Sequence, residues 1–401
     1  MEQEITPMKK NNNILIVIGI ILIAANMRPA ITSVGPLIGD IRSDMSLTNG
    51  LAGLITTLPL IAFAISSPII PKLSRQFGNE IILFLGLTTL VFGILIRSAS
   101  WVVTLFMGTF VIGIAIAIFN VLLPGLIKNK FPHKVGLLTG VYSTIMVLSA
   151  AVSSGLISPL NQQFSIGWRG ILACQAIMAA LAALLWLPQL RGFIKPSHSA
   201  GTTPQLGGLL LSPLAWQVTF FMGLQSFIFF VLVAWLPEIL IDRGYSVSSA
   251  GWLLSFMQFS GLPATFLVPI FSDMLKNQKV IVVVIVLLDI IGLVGLLSGS
   301  TKFIVLWIIF IGLSQGASIS LALAFLGLRA RNAQQAAELS GMSQSFGYIL
   351  GALGPVSFGY IYDITQAWTI PLLLLIAVCV CLLVAGLGAG RAMYVTLESE
   401  G

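Results

Sequence analysis

Long apolar stretches, broken only briefly by charges, run through this chain from residue 14 to residue 387. About 20 apolar residues cross the hydrocarbon of a bilayer as a helix. A helix also satisfies all of its backbone polar groups within one segment, which lipid requires. Twelve such stretches are present. The first six are Ile14–Ile38, Leu51–Ile70, Ile81–Ile96, Val102–Ile127, Val135–Leu160 and Trp168–Leu187. The second six are Trp216–Leu236, Ser249–Phe271, Val280–Leu297, Phe303–Leu328, Leu339–Ile361 and Thr369–Leu387. Only 8% of the 401 residues are charged, against roughly 25% in soluble domains, so most of the surface faces lipid. The expected fold is an all-α membrane protein of twelve transmembrane helices in two pseudo-symmetric six-helix bundles.

The longest polar stretch, Arg191 to Ser212, lies between the sixth and seventh segments and contains Lys195-Pro196-Ser197-His198-Ser199. It reads as a linker, dividing the chain into an N-terminal bundle (1–190), a cytoplasmic linker (191–212) and a C-terminal bundle (213–401). Of the 20 Lys and Arg residues, 14 fall in segments on the N-terminal side, five, including Arg97, fall on the other, and Arg28 lies inside a span. By the positive-inside rule both termini are expected in the cytoplasm. The apolar run after Met8-Lys9-Lys10 exceeds a signal peptide and is read as an uncleaved first span.

The halves repeat. Lys128-Asn129-Lys130 and Leu138-Thr139-Gly140 answer Arg329-Ala330-Arg331 and Leu339-Ser340-Gly341 at one offset of 201 residues. Pro71-Lys72-Leu73-Ser74 answers Pro269-Ile270-Phe271-Ser272 at 198. Two parallel six-helix repeats hold substrate between them in a two-bundle carrier.

Three stretches carry a resemblance: Asn26-Met27-Arg28-Pro29 with Gly35-Pro36; Asn120-Val121-Leu122-Leu123-Pro124 with Lys128 and Phe131-Pro132; and Leu339 to Tyr348 with Gly354-Pro355. Together they resemble the cyanate permease and 2-nitroimidazole transporter branch of the major facilitator superfamily. The likeness runs the length of the chain and implies a permease working by alternating access. One loop departs from the pattern. Where the superfamily usually has Gly-x-x-x-Asp-Arg-x-Gly after its second helix, this chain has Pro71 for the first glycine and Arg75 for the aspartate, keeping Gly78. The second-half copy keeps its acid, Asp273. Arg75 and Asp273 are the cytoplasmic gate candidates that the resemblance implies.

A charge in mid-membrane is costly and marks function. Arg28 lies about halfway along the first segment, with Ala24, Ala25, Thr32 and Gly35 as helical neighbours. Its five donors suit carboxylate-like or other planar anions; the alternative is a structural partner at a helix break near Pro29. Asp289, amid Val, Leu and Ile of the ninth segment, is a candidate for proton coupling, or else a neutral hydrogen-bonded acid, since the resemblance puts the ninth helix at the periphery. Uncharged polar side chains are costly against lipid and should face inward. Asn120, Tyr142, Gln225, Gln258, Gln315, Gln344 and Tyr348 form that set and, with Arg28, are the substrate-binding candidates; interhelical hydrogen bonding is the alternative for each. Asp40, Glu238 and Asp242, at span ends, read as solvated caps.

Other classes are disfavoured. The basic residues form no patch with interleaved aromatics, so no nucleic-acid partner is expected despite the formal charge of +7. Cys174, Cys379 and Cys381 sit in apolar runs, and the two histidines, His133 and His198, sit in loops, so no disulfide framework, metal site, cofactor or catalytic residue is indicated. No Gly-x-x-x-x-Gly-Lys-Ser/Thr motif is present, which argues against direct ATP drive. The expected function is a monomeric secondary transporter moving a small polar or anionic solute, cyanate- or nitroimidazole-like. A proton-coupled drug exporter is the alternative, though the fifth span lacks the Gly-Pro pair usual in superfamily antiporters. A non-transporting membrane sensor is the third class.

Overall fold

A computed structural model describes residues 7–131, 135–192, 206–331 and 333–395. Among these residues every regular element is helical. Eleven crossings are long and apolar enough to span a membrane, and the 33-residue helix Ala333–Thr365 supplies the remaining one. The third to fifth spans are Asn79–Arg97, Val102–Lys130 and Val135–Phe164. The seventh to tenth are Pro213–Asp242, Val247–Met274, Lys279–Leu297 and Ile304–Leu328, and the twelfth is Thr369–Ala389. The sixth is divided into Gly167–Ala173 and Gln175–Trp186.

The first span is not the continuous helix expected from its hydropathy. It is built from Pro7–Met27, Pro29–Thr32, a 3-10 turn at Gly35–Leu37 and Ile38–Met45. Pro29 and Pro36 lack the N–H that would continue the ladder. Pro36 leaves the Thr32 carbonyl open, and Ser154 Oγ donates to it at 3.3 Å; Thr32 Oγ1 and Ser33 Oγ add second bonds to the Arg28 and Pro29 carbonyls, at 3.3 and 2.6 Å. Such side-chain bonds make a break tolerable where no water reaches. The second span likewise ends early, at Asn49–Ser66, before resuming as Ile70–Phe77. Of the linker, 193–205 and with it His198 lie outside the described residues, and its end forms a short helix, Leu206–Leu211. His133 is outside them too.

One apolar cluster fills each bundle, with a smaller third, around Val34, Leu37, Trp168 and Leu172, at one end of the first. The seam is crossed in both directions: Phe230 and Ala352 pack into the first bundle's cluster, and Ile38 and Ala52 into the second's. Twelve crossings return the chain to the face it started from; the opposite face is the distal one. In the distal half the bundles touch backbone to backbone. A Cβ on Gly35 would overlap the Val233 carbonyl, and one on Gly53 the Pro355 carbonyl. Only glycine permits that approach. Hydrogen bonds cross the same seam, from Thr57 Oγ1 to the Ala352 carbonyl (2.7 Å) and from Gln258 Nε2 to Ser154 Oγ (3.0 Å). Glu238, expected as a solvated cap, is mostly buried and pairs with Arg42 at 3.6 Å.

Candidate functional site

Arg28 stands at the break in the first span, just ahead of Pro29. Its guanidinium lies over the ring of Phe229 from the seventh helix, 5.1 Å from the centroid. Among the described residues it makes no hydrogen bond and no ion pair. The structural reading, a partner at the break, therefore falls to a different arginine. Arg97, expected in a loop, is 1% exposed. It donates from Nη1 to the Ala30 carbonyl at 2.5 Å and from Nη2 to Gln175 Oε1 at 3.4 Å. Gln175 Nε2 in turn donates to Ser33 Oγ at 2.6 Å. A guanidinium so placed satisfies the Ala30 carbonyl, left open because the Val34 N–H turns to Ile31 instead, and it fixes the backbone that carries Arg28.

Arg28 borders a cavity of about 70 Å³ between the bundles, lined from the second bundle by Gln225, Gln258, Gln315 and Tyr348. A smaller cavity of about 30 Å³ shares Arg28, Tyr348 and Phe230 with it and reaches Asn120 and Phe63. Since a water needs about 10–15 Å³ on this measure, the two spaces suit a solute of few heavy atoms. The Tyr348 ring rests on Phe63 with centroids 4.5 Å apart. Asn120 uses its amide to donate to the Ile116 carbonyl one turn back, at 3.1 Å.

Six of the eight substrate-binding candidates thus border the two cavities. Two do not. Gln344 donates to Ser340 Oγ at 2.8 Å on its own helix, and Tyr142 packs against the apolar cluster of the first bundle. Asp289 is fully buried and borders neither cavity, but it is not isolated: Gln315 Nε2 donates to its two oxygens at 3.0 and 3.3 Å. Arg75 and Asp273 lie on helices near the face bearing the chain ends, with side chains outside the described set. Sequence reasoning missed Phe229, Phe230 and Met257 on the cavity wall, because apolar residues in a span read as lipid-facing. The one available clue was that a lone guanidinium in hydrocarbon needs an aromatic face when it has no anion.

Comparison with known proteins agrees with the fold. Residues 15–355 match the Major Facilitator Superfamily. The chain is 49% identical to the uncharacterized transporter YycB of Bacillus subtilis, over 98% of this chain and 97% of that one. It is 42% identical to a 2-nitroimidazole transporter of Escherichia coli, over 96% and 98% respectively. Identity to the cyanate transport protein CynX of Escherichia coli is 26%, over 86% and 89%. Among solved structures, the nucleoside transporter NupG, as a mutant, shares the fold at a TM-score of 0.78 with 11% identity, covering 94% of this chain and 100% of its own. The family match runs over most of the chain, two relatives are covered nearly end to end at 42% and 49% identity, and the twelve-helix fold agrees with both: the chain belongs to the Major Facilitator Superfamily.

Proposed function

We propose that this chain is a secondary active permease for a small, planar, electron-rich solute of the nitroimidazole or cyanate class, held between the bundles and released by their rocking. It acts in a bacterial cytoplasmic membrane with both termini inside, as a monomer, its bundles being 1–190 and 213–401. The observation that carries this reading is the Arg28 guanidinium, unpaired among the described residues and bordering the cavity on the seam. A fork of five donors over an aromatic face favours a flat partner bearing nitro, cyanate or carboxylate oxygens. The names of two relatives, a 2-nitroimidazole transporter and a cyanate transport protein, support the same class. Gln225, Gln258, Gln315, Asn120 and Tyr348 orient the solute; Gln344 and Tyr142 are left to packing. The test is uptake of 2-nitroimidazole and of cyanate by proteoliposomes. Arg28→Ala should weaken whichever solute is carried at least tenfold while melting temperature stays unchanged. Full transport by that variant would refute the role.

Proton-driven export is a second reading, favoured by one contact, that between Asp289 and the cavity residue Gln315. It requires that uptake or release respond to an imposed pH difference and that Asp289→Asn abolish the response.

A further inference from the structure

The cavity's polar groups divide by kind. Gln315 turns its amide NH2 to Asp289. Gln258 turns its NH2 to Ser154 Oγ at 3.0 Å and the Leu254 carbonyl at 3.5 Å, and Gln225 gives its NH2 to the Met222 carbonyl at 3.0 Å and Ser226 Oγ at 2.8 Å. A main-chain carbonyl only accepts, and both Asp289 oxygens lie against the Gln315 NH2, so these three amides are held in one sense, donor end to the protein. Their oxygens are what remains. None accepts a hydrogen bond among the described residues, and Gln315 Oε1 is buried without a partner. A buried acceptor without a donor is costly, and at Gln315 the cost is imposed by Asp289, which borders neither of the two cavities itself.

We infer that the second-bundle wall, Gln225, Gln258 and Gln315, is an acceptor surface that selects solutes carrying an N–H or O–H donor opposite their electron-rich end, with Asp289 as the residue that holds Gln315 in that sense. The inference rests on the permease reading above and narrows it. A nitro-substituted N–H heteroarene satisfies both walls: its nitro oxygens meet Arg28 and its ring N–H meets a glutamine oxygen. Cyanate, which has no donor, satisfies only the first.

The experiment measures binding of 2-nitroimidazole, 1-methyl-2-nitroimidazole and cyanate to the purified full-length protein. The N–H compound should bind at least about tenfold tighter than its methylated form, the usual consequence of leaving a buried acceptor unpaired. A methyl group also adds bulk, so the ratio is measured again after the acceptor is removed. Leu at 315 alone would strip Asp289 of its donor, so Gln315→Leu is combined with Asp289→Leu. Gln258→Met, which leaves the Asp289 pair intact, is the second arm. The variant that removes the oxygen met by the ring N–H should bring the ratio below about threefold, and where that oxygen is Gln315's, Asp289→Asn, whose amide accepts Gln315 in both senses, should reduce it part of the way. Equal binding of the two nitroimidazoles by the native protein, or a ratio that survives both variants, overturns the inference and leaves the permease reading standing. Binding of cyanate alone does the same. Binding of none of the three removes both.

Discussion

Asp363, near the end of the eleventh helix, caps the start of the second. Its Oδ1 accepts from the Asn49 backbone N–H at 3.1 Å and from Asn49 Nδ2 at 2.7 Å, while Oδ2 accepts from the Gly50 N–H at 2.8 Å. The bonds satisfy N–H groups that a helix start leaves open and place a carboxylate at its positive end. Here the cap comes from the other bundle, so it exists only while the distal seam is closed. Asn49 also bonds Arg42, which pairs with Glu238 of the seventh helix. The four residues form a latch across both sides of the seam.

Asp363→Ala should therefore shift the population toward a distally open form. A cap is worth about 1 kcal/mol, so the open-to-closed ratio should rise about fivefold. Spin labels at the distal ends of the second and eleventh helices, in a background without Cys174, Cys379 and Cys381, would report a larger long-distance fraction. An unchanged distance distribution would show that the latch does not govern closure.

The glycine contacts act more severely. At Gly53 a side chain would displace the Pro355 carbonyl, and helix backbones do not yield as a flexible side chain does. Gly53→Val should leave a folded protein that cannot close distally. Transport should fall by about a hundredfold or more, since a barrier of about 3 kcal/mol is enough, while binding from the distal side persists. Retained transport would mean that the seam is softer than its geometry.

Arg97→Met should cost about 1–3 kcal/mol of stability by leaving the Ala30 carbonyl bare and should weaken solute binding as Arg28 loses its footing. Arg97→Lys should recover little of either, because a single ammonium cannot span Ala30 and Gln175 as a planar fork does. Thermal melting together with equilibrium binding separates the two effects.

The Arg28 contact with Phe229 makes its own prediction. Phe229→Leu keeps the bulk but loses an attraction of about 0.5–2 kcal/mol. Binding should weaken by about two- to thirtyfold, and the melting temperature should fall by no more than about 4 °C. A variant that binds as well as the native protein would show that Arg28 needs no aromatic support.

The crossings were legible because hydrocarbon imposes one rule on every segment, and Arg28 stood out because it broke that rule. Arg97 did not. It sits beside Ser98-Ala99-Ser100 at a span end, where an arginine normally reaches water, and its burial depends on one carbonyl left open at a break 67 residues earlier. The inward polar set was legible as a set only. Burial cost forces an amide away from lipid but does not tell Gln315, on the cavity, from Gln344, bonded to Ser340 on its own helix. The tie between Asp289 and Gln315 was hidden for a similar reason, since it arises from the side-by-side packing of the ninth and tenth helices.

The hydrogen bonds that hold the break in the first span stay within its own bundle, through Arg97, Gln175, Ser33 and the bond from Thr32 to the Ala150 carbonyl. The guanidinium therefore travels with the first six helices, and the glutamine wall travels with the last six. A solute gripped at both ends becomes a strut between two moving bodies, and its length sets the angle at which they come to rest. Molecules too short to reach, or too long to let the halves meet, would be turned away by the swing of the bundles rather than by the width of the entrance.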